Sequence, residues 1–280
     1  MFASGAIREL GSDPRHAVVR FGEEPNPGPA QAAQRVLLVD GQPAFELSYW
    51  CGTCPMLFKR REGAHKTLSV ASLAERLTAG LDALDESVIA PFAELLPFGR
   101  YVPMLLGIDP RLVHPLDPDD YFAHEQVATW GIDSFWGLPN YPQTVYYRTF
   151  DAPVSADAHL HEFVVPMVPP TWNDATRVAQ YQQQLQTSST PTAVAVSLLD
   201  ICQPAMADES RDDYYIHWSL LHFLLDGHHK LEAAARSHRP LRLLSLLSVD
   251  DSLAEQHDID RLTTVRADLA RPRSSPPRPR

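Results

Sequence analysis

Residues 217–239 decide the fold, and they read HWSLLHFLLDGHHKLEAAARSHR. The first half is an apolar run that stops at Asp226 and Gly227, and the second half places Leu231 and Ala235 at helical spacing. An apolar run, a glycine and then a helical period together predict a strand, a tight turn and a helix. Gly227 permits the sharp turn because it has no Cβ.

The residues after this glycine fall in the first turn of the predicted helix. The free N–H groups and the positive end of the helix dipole point outward there, and both favour an anion. Lys230 adds a full positive charge. Asp226, at the end of the strand, can cap the helix, hold a metal ion or accept a proton. The pattern predicts a pocket for a phosphate or carboxylate, with one carboxylate facing it.

The run DGHHK, residues 226–230, resembles the signature of the ParB/sulfiredoxin-like superfamily. That signature is Asp-Gly-His-His-Arg, or a near variant, directly after a strand. The surrounding segments also resemble the superfamily's opening strand, first helix, next strand and the strand after the motif helix. In order, these segments are residues 160–166, 174–187, 191–199 and 241–247. The resemblance covers residues 155–250 and implies a mixed-sheet domain.

Two positions of the motif depart from the family pattern. In sulfiredoxins a cysteine follows the glycine, but His228 stands there, so the resemblance does not carry sulfinic acid repair. Lys230 stands where arginine is usual, which keeps the charge but loses the two-pronged guanidinium. The Asp-Gly-His-His core is that of the free-serine kinase branch. Resemblance to this branch implies phosphoryl transfer from ATP or ADP with Mg²⁺.

The resemblance also implies roles for the five motif residues. Gly227, His228 and Lys230 would bind the phosphates of the nucleotide. His228 and His229 would donate hydrogen bonds, or act as acid and base near neutral pH. Asp226 would orient a histidine or bind magnesium.

The residue that accepts the proton of the substrate hydroxyl has two candidates. Glu162 lies on the opening strand, where the kinase branch carries its base, and it is assigned by the order of elements alone. Glu125 is the rival, because related kinases place a His-Glu pair near the start of the fold and His124-Glu125 is such a pair. His217 and His222, within the apolar run, are expected to be structural.

The composition of the chain indicates which partners and which cellular compartment to expect. The net charge is −11, and an acidic surface repels duplex DNA, so a DNA partner is disfavoured. No apolar run reaches the roughly 18 residues that a membrane span needs, and no charged-then-apolar leader opens the chain. We therefore expect a cytoplasmic protein with no membrane partner. The three cysteines do not suggest a secreted disulfide scaffold.

Cys51 and Cys54 form a Cys-x-x-Cys pair that has three interpretations. The pair can be half of a structural zinc site, a redox pair, or two cysteines packed in a turn. The zinc interpretation needs two more ligands. Cys202, His65 and His114 are candidates, but none has a diagnostic spacing.

The predicted fold class is α+β, with a ParB/sulfiredoxin-like mixed-sheet C-terminal domain and an additional N-terminal α+β domain. The predicted segments are a flexible lead-in over 1–34, the N-terminal domain with the Cys-x-x-Cys pair over 35–150, the ParB-like domain over 155–250, a helix over 251–270 and a disordered tail over 271–280. Within the N-terminal domain we expect a hairpin over 35–50, a helix with a Ser72–Glu75 capping box, and an edge strand interrupted by Pro103.

Residues 121–147 are dense in aromatic side chains, and they have two interpretations. The rings can form a platform that stacks on a ligand, or an aromatic core patch between the two halves of the protein.

Three functions are compatible with these patterns. The first is a nucleotide-dependent phosphotransferase, a kinase acting on a small hydroxyl-bearing metabolite. The second is a nucleotide- or anion-binding regulatory module without turnover. The third is a ParB-like nuclease or DNA-associated protein, which the negative charge disfavours. The sequence specifies neither the substrate nor the oligomeric state.

Overall fold

Two β-sheets frame the part of the chain that the computed structural model describes, which is residues 3–24, 34–47, 58–125, 144–187, 190–202 and 216–268. In chain order the strands are β1 (Ala3–Ser4), β2 (Arg8–Leu10), β3 (Val19–Glu24), β4 (Gln34–Val39), β5 (Gln42–Leu47), β6 (Phe58–Arg60), β7 (Gly99–Ile108), β8 (Arg111–Val113), β9 (Tyr146–Pro153), β10 (Ala158–Pro166), β11 (Thr192–Cys202), β12 (Ile216–Asp226) and β13 (Leu241–Ser248). The helices are α1 (Ala74–Ala79), α2 (Glu86–Ala93), α3 (Ala175–Gln186), α4 (His228–Ser237) and α5 (Gln256–Asp268).

The large sheet is mixed. Its order is β1-β7-β13-β11-β12-β10-β9-β8, and β2 also pairs with β7. The pairs β10–β12 and β11–β13 are parallel, and the other neighbours are antiparallel. Strands β3 to β6 form a separate antiparallel sheet. A mixed large sheet with helices confirms the predicted α+β class. None of the described helices is long and apolar enough to span a bilayer.

Strand β12 is buried on both faces along nearly its whole length, and most of its residues are apolar. Leu221 and Phe223 belong to the core cluster shared with the small sheet. Leu220 and Leu224 belong to the cluster on the opposite face, which α3, α4 and α5 cover. Alternation along a strand sends these two pairs to opposite faces, so a strand that is buried on both faces has apolar residues at consecutive positions.

Aromatic side chains join the small sheet to the large one. The ring of Phe45 lies 5.3 Å from that of Phe223, and the ring of Phe58 lies 5.8 Å from that of Phe163. Phe58 also meets Tyr146 edge-on at 5.3 Å. The result is three layers: small sheet, large sheet and helices.

The predicted strand, turn and helix around Gly227 are confirmed. Strand β12 ends at Asp226, Gly227 has a φ of 99°, and α4 begins at His228. The predicted helix over 174–187 is also confirmed, as α3, and the Asp174 carboxylate accepts the Thr176 and Arg177 N–H groups at its start. The hairpin of β4 and β5 and the final helix α5 also agree with the sequence.

Several expectations for the N-terminal half differ from the structure. Residues 1–34, expected to be flexible, contain β1, β2 and β3. The Ser72–Glu75 capping box is wrong, because a 3₁₀ turn precedes α1 and no side chain caps that helix.

Strand β7 is not an edge strand, because β13 pairs with one side of it and β1 and β2 with the other. Pro103 fits there because it faces the gap between β1, which pairs at Met104, and β2, which pairs at Tyr101, so the ladder does not need the N–H that proline lacks. Its carbonyl accepts the Gly5 N–H at 2.8 Å. Strands β1, β2 and β7 thus lie in the same sheet as the C-terminal strands.

Candidate functional site

The turn at residues 226–230 lies beside a cleft of about 120 Å³. The turn forms one wall, the segment leading into α1 forms a second, and α3 forms a third. Outside the turn, the lining residues are Thr67, Ser69, Val70, Ala71, Ala74, Arg177 and Tyr181. The anion pocket predicted from the sequence therefore has a physical counterpart at the start of α4.

Gly227 brings the start of α4 close to the neighbouring strand. Its φ of 99° is in the left-handed region that side chains disfavour, and a Cβ there would lie 2.7 Å from the Ala193 Cβ. No side chain caps α4 at Gly227. The N–H groups of the first turn of α4 are left to a ligand or water, as at other helix starts.

Lys230 holds Asp226 rather than reaching into open solvent. Its Nζ donates to the Thr192 carbonyl at 3.0 Å and lies 3.4 Å from Asp226 Oδ2. Ser69 Oγ donates to the other oxygen of Asp226. Burial lowers the pKa of Lys230. Lys230 thus forms an ion pair that fixes the carboxylate at the edge of the cleft, and its phosphate contact stays a prediction.

His228 and His229 connect the turn to two neighbouring segments. His228 Nε2 accepts the Met167 N–H at 3.0 Å, and His229 Nε2 accepts the Asp174 N–H at 3.1 Å. Burial lowers the pKa of His228 to about 3, so its imidazole is neutral near pH 7. Because Nε2 accepts, Nδ1 carries the proton. That buried Nδ1–H has no hydrogen-bond partner among the described residues.

Arg177 and Ser69 complete the cleft and were not singled out from the sequence. Arg177 is exposed on the first turn of α3 and lines the cleft opposite the motif. Ser69 lies 157 residues before Asp226, the residue to which it donates. Neither residue belongs to a motif, and only the packing of the chain brings them to the turn.

Comparison with protein-family models, curated proteins and solved structures gives no match. The ParB/sulfiredoxin-like resemblance therefore stays a prediction, carried by the motif and the order of elements.

Glu162, the first candidate base, lies away from the cleft. In the parallel pairing of β10 and β12 it is opposite Leu220, six residues before Asp226, which is about 20 Å at the rise of a strand. Its side chain is fully buried, forms an ion pair with Arg266 of α5, and accepts from Thr149 Oγ1 at 2.8 Å. The structure thus places Glu162 beneath α5.

His222 belongs to the same buried network. Its Nδ1 lies 2.6 Å from Ser197 Oγ, and its Nε2 lies 3.8 Å from Glu162 Oε1. Burial lowers the pKa of His222 to about 3. The expectation that His222 is structural agrees with this position.

We expect His222 to make stability fall as the pH is lowered. An unfolded histidine titrates near 6.5, so below that pH the unfolded state binds a proton that the folded state does not. The contribution of neutral His222 to the unfolding free energy is complete above pH 6.5. It is lost toward pH 3 at about 1.4 kcal/mol per pH unit. Urea unfolding gives the unfolding free energy of wild type and of His222→Asn at each pH between 6 and 4.5. As the pH is lowered, this free energy should fall less steeply in the variant than in the wild type. Equal pH dependences of the two proteins would contradict the prediction, and the difference at pH 8 measures the lost packing together with the lost Ser197 hydrogen bond.

A second polar cluster lies at the opposite end of β10 and β12. Asp151 on β9 meets His159 and His161 on β10, and the three potential metal-ligand atoms lie within 4.8 Å of one another. His217, opposite His159 on β12, lies beside them, and its ring centroid is 5.5 Å from that of His161. Arg148 Nη2 lies 2.8 Å from Asp151 Oδ2. No sequence motif predicted this cluster, although the alternation His159-Leu-His161 is its local signal.

The remaining candidates lie largely outside the described residues. Cys51 and Cys54 are outside, so the zinc, redox and packing interpretations stay open. Glu125 is the last residue of a turn of π-helix, Tyr121–Glu125, but its side chain is not part of what the structure describes. Of the aromatic segment, Phe122 and Tyr146 are fully buried and pack on Phe163, as expected for a core patch.

Proposed function

We propose that the cleft at residues 226–230 binds the phosphate groups of a nucleotide, and that the protein transfers a phosphoryl group to a small hydroxyl-bearing metabolite. The single observation that carries the proposal is a cleft lined by all five motif residues, Asp226 to Lys230, at the start of α4. A glycine turn that leads into a helix start is a backbone arrangement that binds phosphate groups.

Two further features of the cleft support an anionic ligand. The uncapped first turn of α4 offers backbone N–H groups and the positive end of its dipole. Arg177 faces the cleft from α3 and can form paired hydrogen bonds to phosphate oxygens. Together these groups supply donors from two walls of the cleft.

Asp226 is the carboxylate that we assign to the chemistry. Phosphoryl transfer depends on positioned positive charge and on a group that receives the proton of the attacking hydroxyl. Asp226 lines the cleft and is held by Ser69 and Lys230, whereas Glu162 is about 20 Å away along the strands. Mg²⁺ usually binds one or two carboxylates together with substrate phosphates, and Asp226 is the residue of the cleft that would hold it.

The decisive measurement is phosphoryl transfer by the full chain. ATP labelled on the γ-phosphate and ADP labelled on the β-phosphate would be incubated with Mg²⁺ and a panel of hydroxyl compounds. We expect Asp226→Asn to reduce turnover at least about 100-fold, the usual contribution of a positioned acid or base, while the fold is kept. Nucleotide binding, measured by calorimetry without Mg²⁺ so that the loss of a metal ligand does not contribute, should remain.

Asp40→Asn is the matched control, because Asp40 is also paired with a lysine, Lys66, but lies outside the cleft. It should leave turnover unchanged. Wild-type turnover in Asp226→Asn would overturn the assignment of Asp226. Absence of nucleotide binding by the wild type would overturn the proposed function.

A specific observation favours a second candidate, a nucleotide- or anion-binding module without turnover. Lys230 and one nitrogen of each of the two motif histidines are engaged with backbone groups, so the motif serves packing as well as any ligand. The same experiment separates the two candidates. Nucleotide binding that Arg177→Gln weakens, with no labelled phosphate on any acceptor, would favour the module.

A further inference from the structure

The cluster of Asp151, His159 and His161 carries an inference independent of the phosphate cleft. His159 and His161 alternate along β10, so both side chains project from the same face of the large sheet. Asp151 is the register partner of His161 on the adjacent strand β9. Two neighbouring strands therefore present two imidazoles and a carboxylate at one place.

The distances within the cluster are close to those of a metal site. His161 Nδ1 lies 3.3 Å from Asp151 Oδ2, and His159 Nε2 contacts Asp151 Oδ1. Zinc bonds to histidine nitrogen and carboxylate oxygen are about 2.0–2.2 Å long, which places neighbouring ligand atoms roughly 3–3.5 Å apart. Small side-chain rotations would bring all three atoms to that spacing.

The surroundings hold the two strand-borne imidazoles in place. His161 is 7% exposed, and the ring of Phe122 packs edge-on against it with 4.6 Å between centroids. His159 is partly exposed, so the cluster is open to solvent on one side. A buried imidazole, a half-buried imidazole and a carboxylate with one open side match a site that keeps a coordination position for water or substrate.

Arg148 now provides the positive charge at this place. Its Nη2 lies 2.8 Å from Asp151 Oδ2 and 3.2 Å from His161 Nδ1, and its Nε lies 3.5 Å from the buried carboxylate of Asp120. A metal ion would take over the first two contacts. The guanidinium would retain Asp120 as its partner.

We propose that Asp151, His159 and His161 bind a divalent first-row transition metal ion, in competition with the guanidinium of Arg148. Imidazole and carboxylate ligands together suit Zn²⁺ and Fe²⁺. They disfavour Mg²⁺ and Ca²⁺, because those ions prefer ligand sets made only of oxygen atoms. His217 lies beside the cluster, with its ring edge-on to that of His161.

The test is Zn²⁺ binding by the full chain that carries Cys51→Ser and Cys54→Ser, so that those thiols do not contribute. Competition with a chromophoric chelator should give one equivalent of Zn²⁺ per chain. His159→Asn with His161→Asn should weaken the affinity at least about 100-fold, since even residues that only support ligands contribute 10- to 100-fold. Absence of bound Zn²⁺, or binding that this double variant leaves unchanged, would overturn the proposal.

His257→Asn is the matched control, since His257 is an exposed imidazole beside Glu255 and Asp258 on α5 and its approach. This substitution should leave the affinity unchanged. An equal loss in the control would overturn the proposal, because it would assign the metal to surface histidines.

Arg148→Gln provides a second measurement, and its expected result would not be seen if the cluster of Asp151, His159 and His161 had only a structural role. Removing the competing cation should raise the Zn²⁺ affinity, on the order of tenfold. The visible spectrum of bound Co²⁺ should change in Asp151→Asn, which keeps the size of the side chain. A lower affinity in Arg148→Gln, or an unchanged Co²⁺ spectrum in Asp151→Asn, would contradict the proposed ligand set.

Discussion

Replacing Gly227 with alanine is expected to lower the free energy of unfolding by about 3 kcal/mol or more. Two costs add at this position. The φ of 99° is unfavourable for any residue with a side chain, and the new Cβ would lie 2.7 Å from the Cβ and 2.9 Å from the Cα of Ala193. Strand β11 and the start of α4 would have to separate, and the cleft would change shape with them. Urea unfolding monitored by circular dichroism measures the loss.

Gly41→Ala separates the conformational cost of a positive φ from the steric cost of the new Cβ. Gly41 also has a positive φ, 77°, but a Cβ there would meet no atom within 4 Å. Only the conformational cost applies, so this control should lose about 1 kcal/mol. If both variants lost the same amount, the close approach of Gly227 to Ala193 would have no energetic role.

The second large effect is expected for Arg266→Leu, at about 3–5 kcal/mol of unfolding free energy. Arg266 pairs with Glu162, whose carboxylate is fully buried, and its Nη2 also donates to the Gly107 carbonyl at 3.1 Å. Removing the guanidinium leaves an unpaired charge in the core and removes a hydrogen bond between α5 and the sheet. Thermal and urea unfolding measure the change.

A double variant distinguishes the buried charge from lost packing. Glu162→Gln added to Arg266→Leu removes the unpaired charge, so we expect much of the loss to be recovered. Asp82→Ala, which breaks the exposed Asp82–Arg242 pair, should change stability by less than about 1 kcal/mol. No recovery in the double variant would mean that packing of α5, and not the charge of Glu162, accounts for the effect.

Local patterns predicted the C-terminal half of the fold because its signals are short in range. Gly227 after an apolar run, and Asp174 before a helical period, each specify an element within a few residues. The pairing of β7 with β13 was not predicted, because it joins residues about 140 positions apart and Pro103 indicated an edge. Residues 1–34 were expected to be flexible because they are polar and rich in Gly, Pro and Ala. Strands as short as β1 and β2 have no periodicity of their own that would have indicated otherwise.

The candidate site was predicted in part. The motif specified where the cleft would be, since a glycine turn before a helix has few geometries. It did not specify what each side chain does, because the sequence does not show that His228 accepts from Met167 or that Lys230 reaches Thr192. Glu162 was chosen by the order of elements, which gives the strand but not the position along it. The position of Glu162 along the strand determines whether its side chain lies at the cleft or beneath α5.

The place of β13 in the large sheet has a consequence for synthesis of the chain. Residues 241–248 pair with β7 on one side and β11 on the other, so the sheet stays in two pieces until they leave the ribosome. During that interval β7 and β11 each present an unpaired edge, which is a template for intermolecular pairing. Translation that stops before residue 241 therefore yields two exposed edges in place of one central strand, and such fragments are expected to aggregate rather than fold.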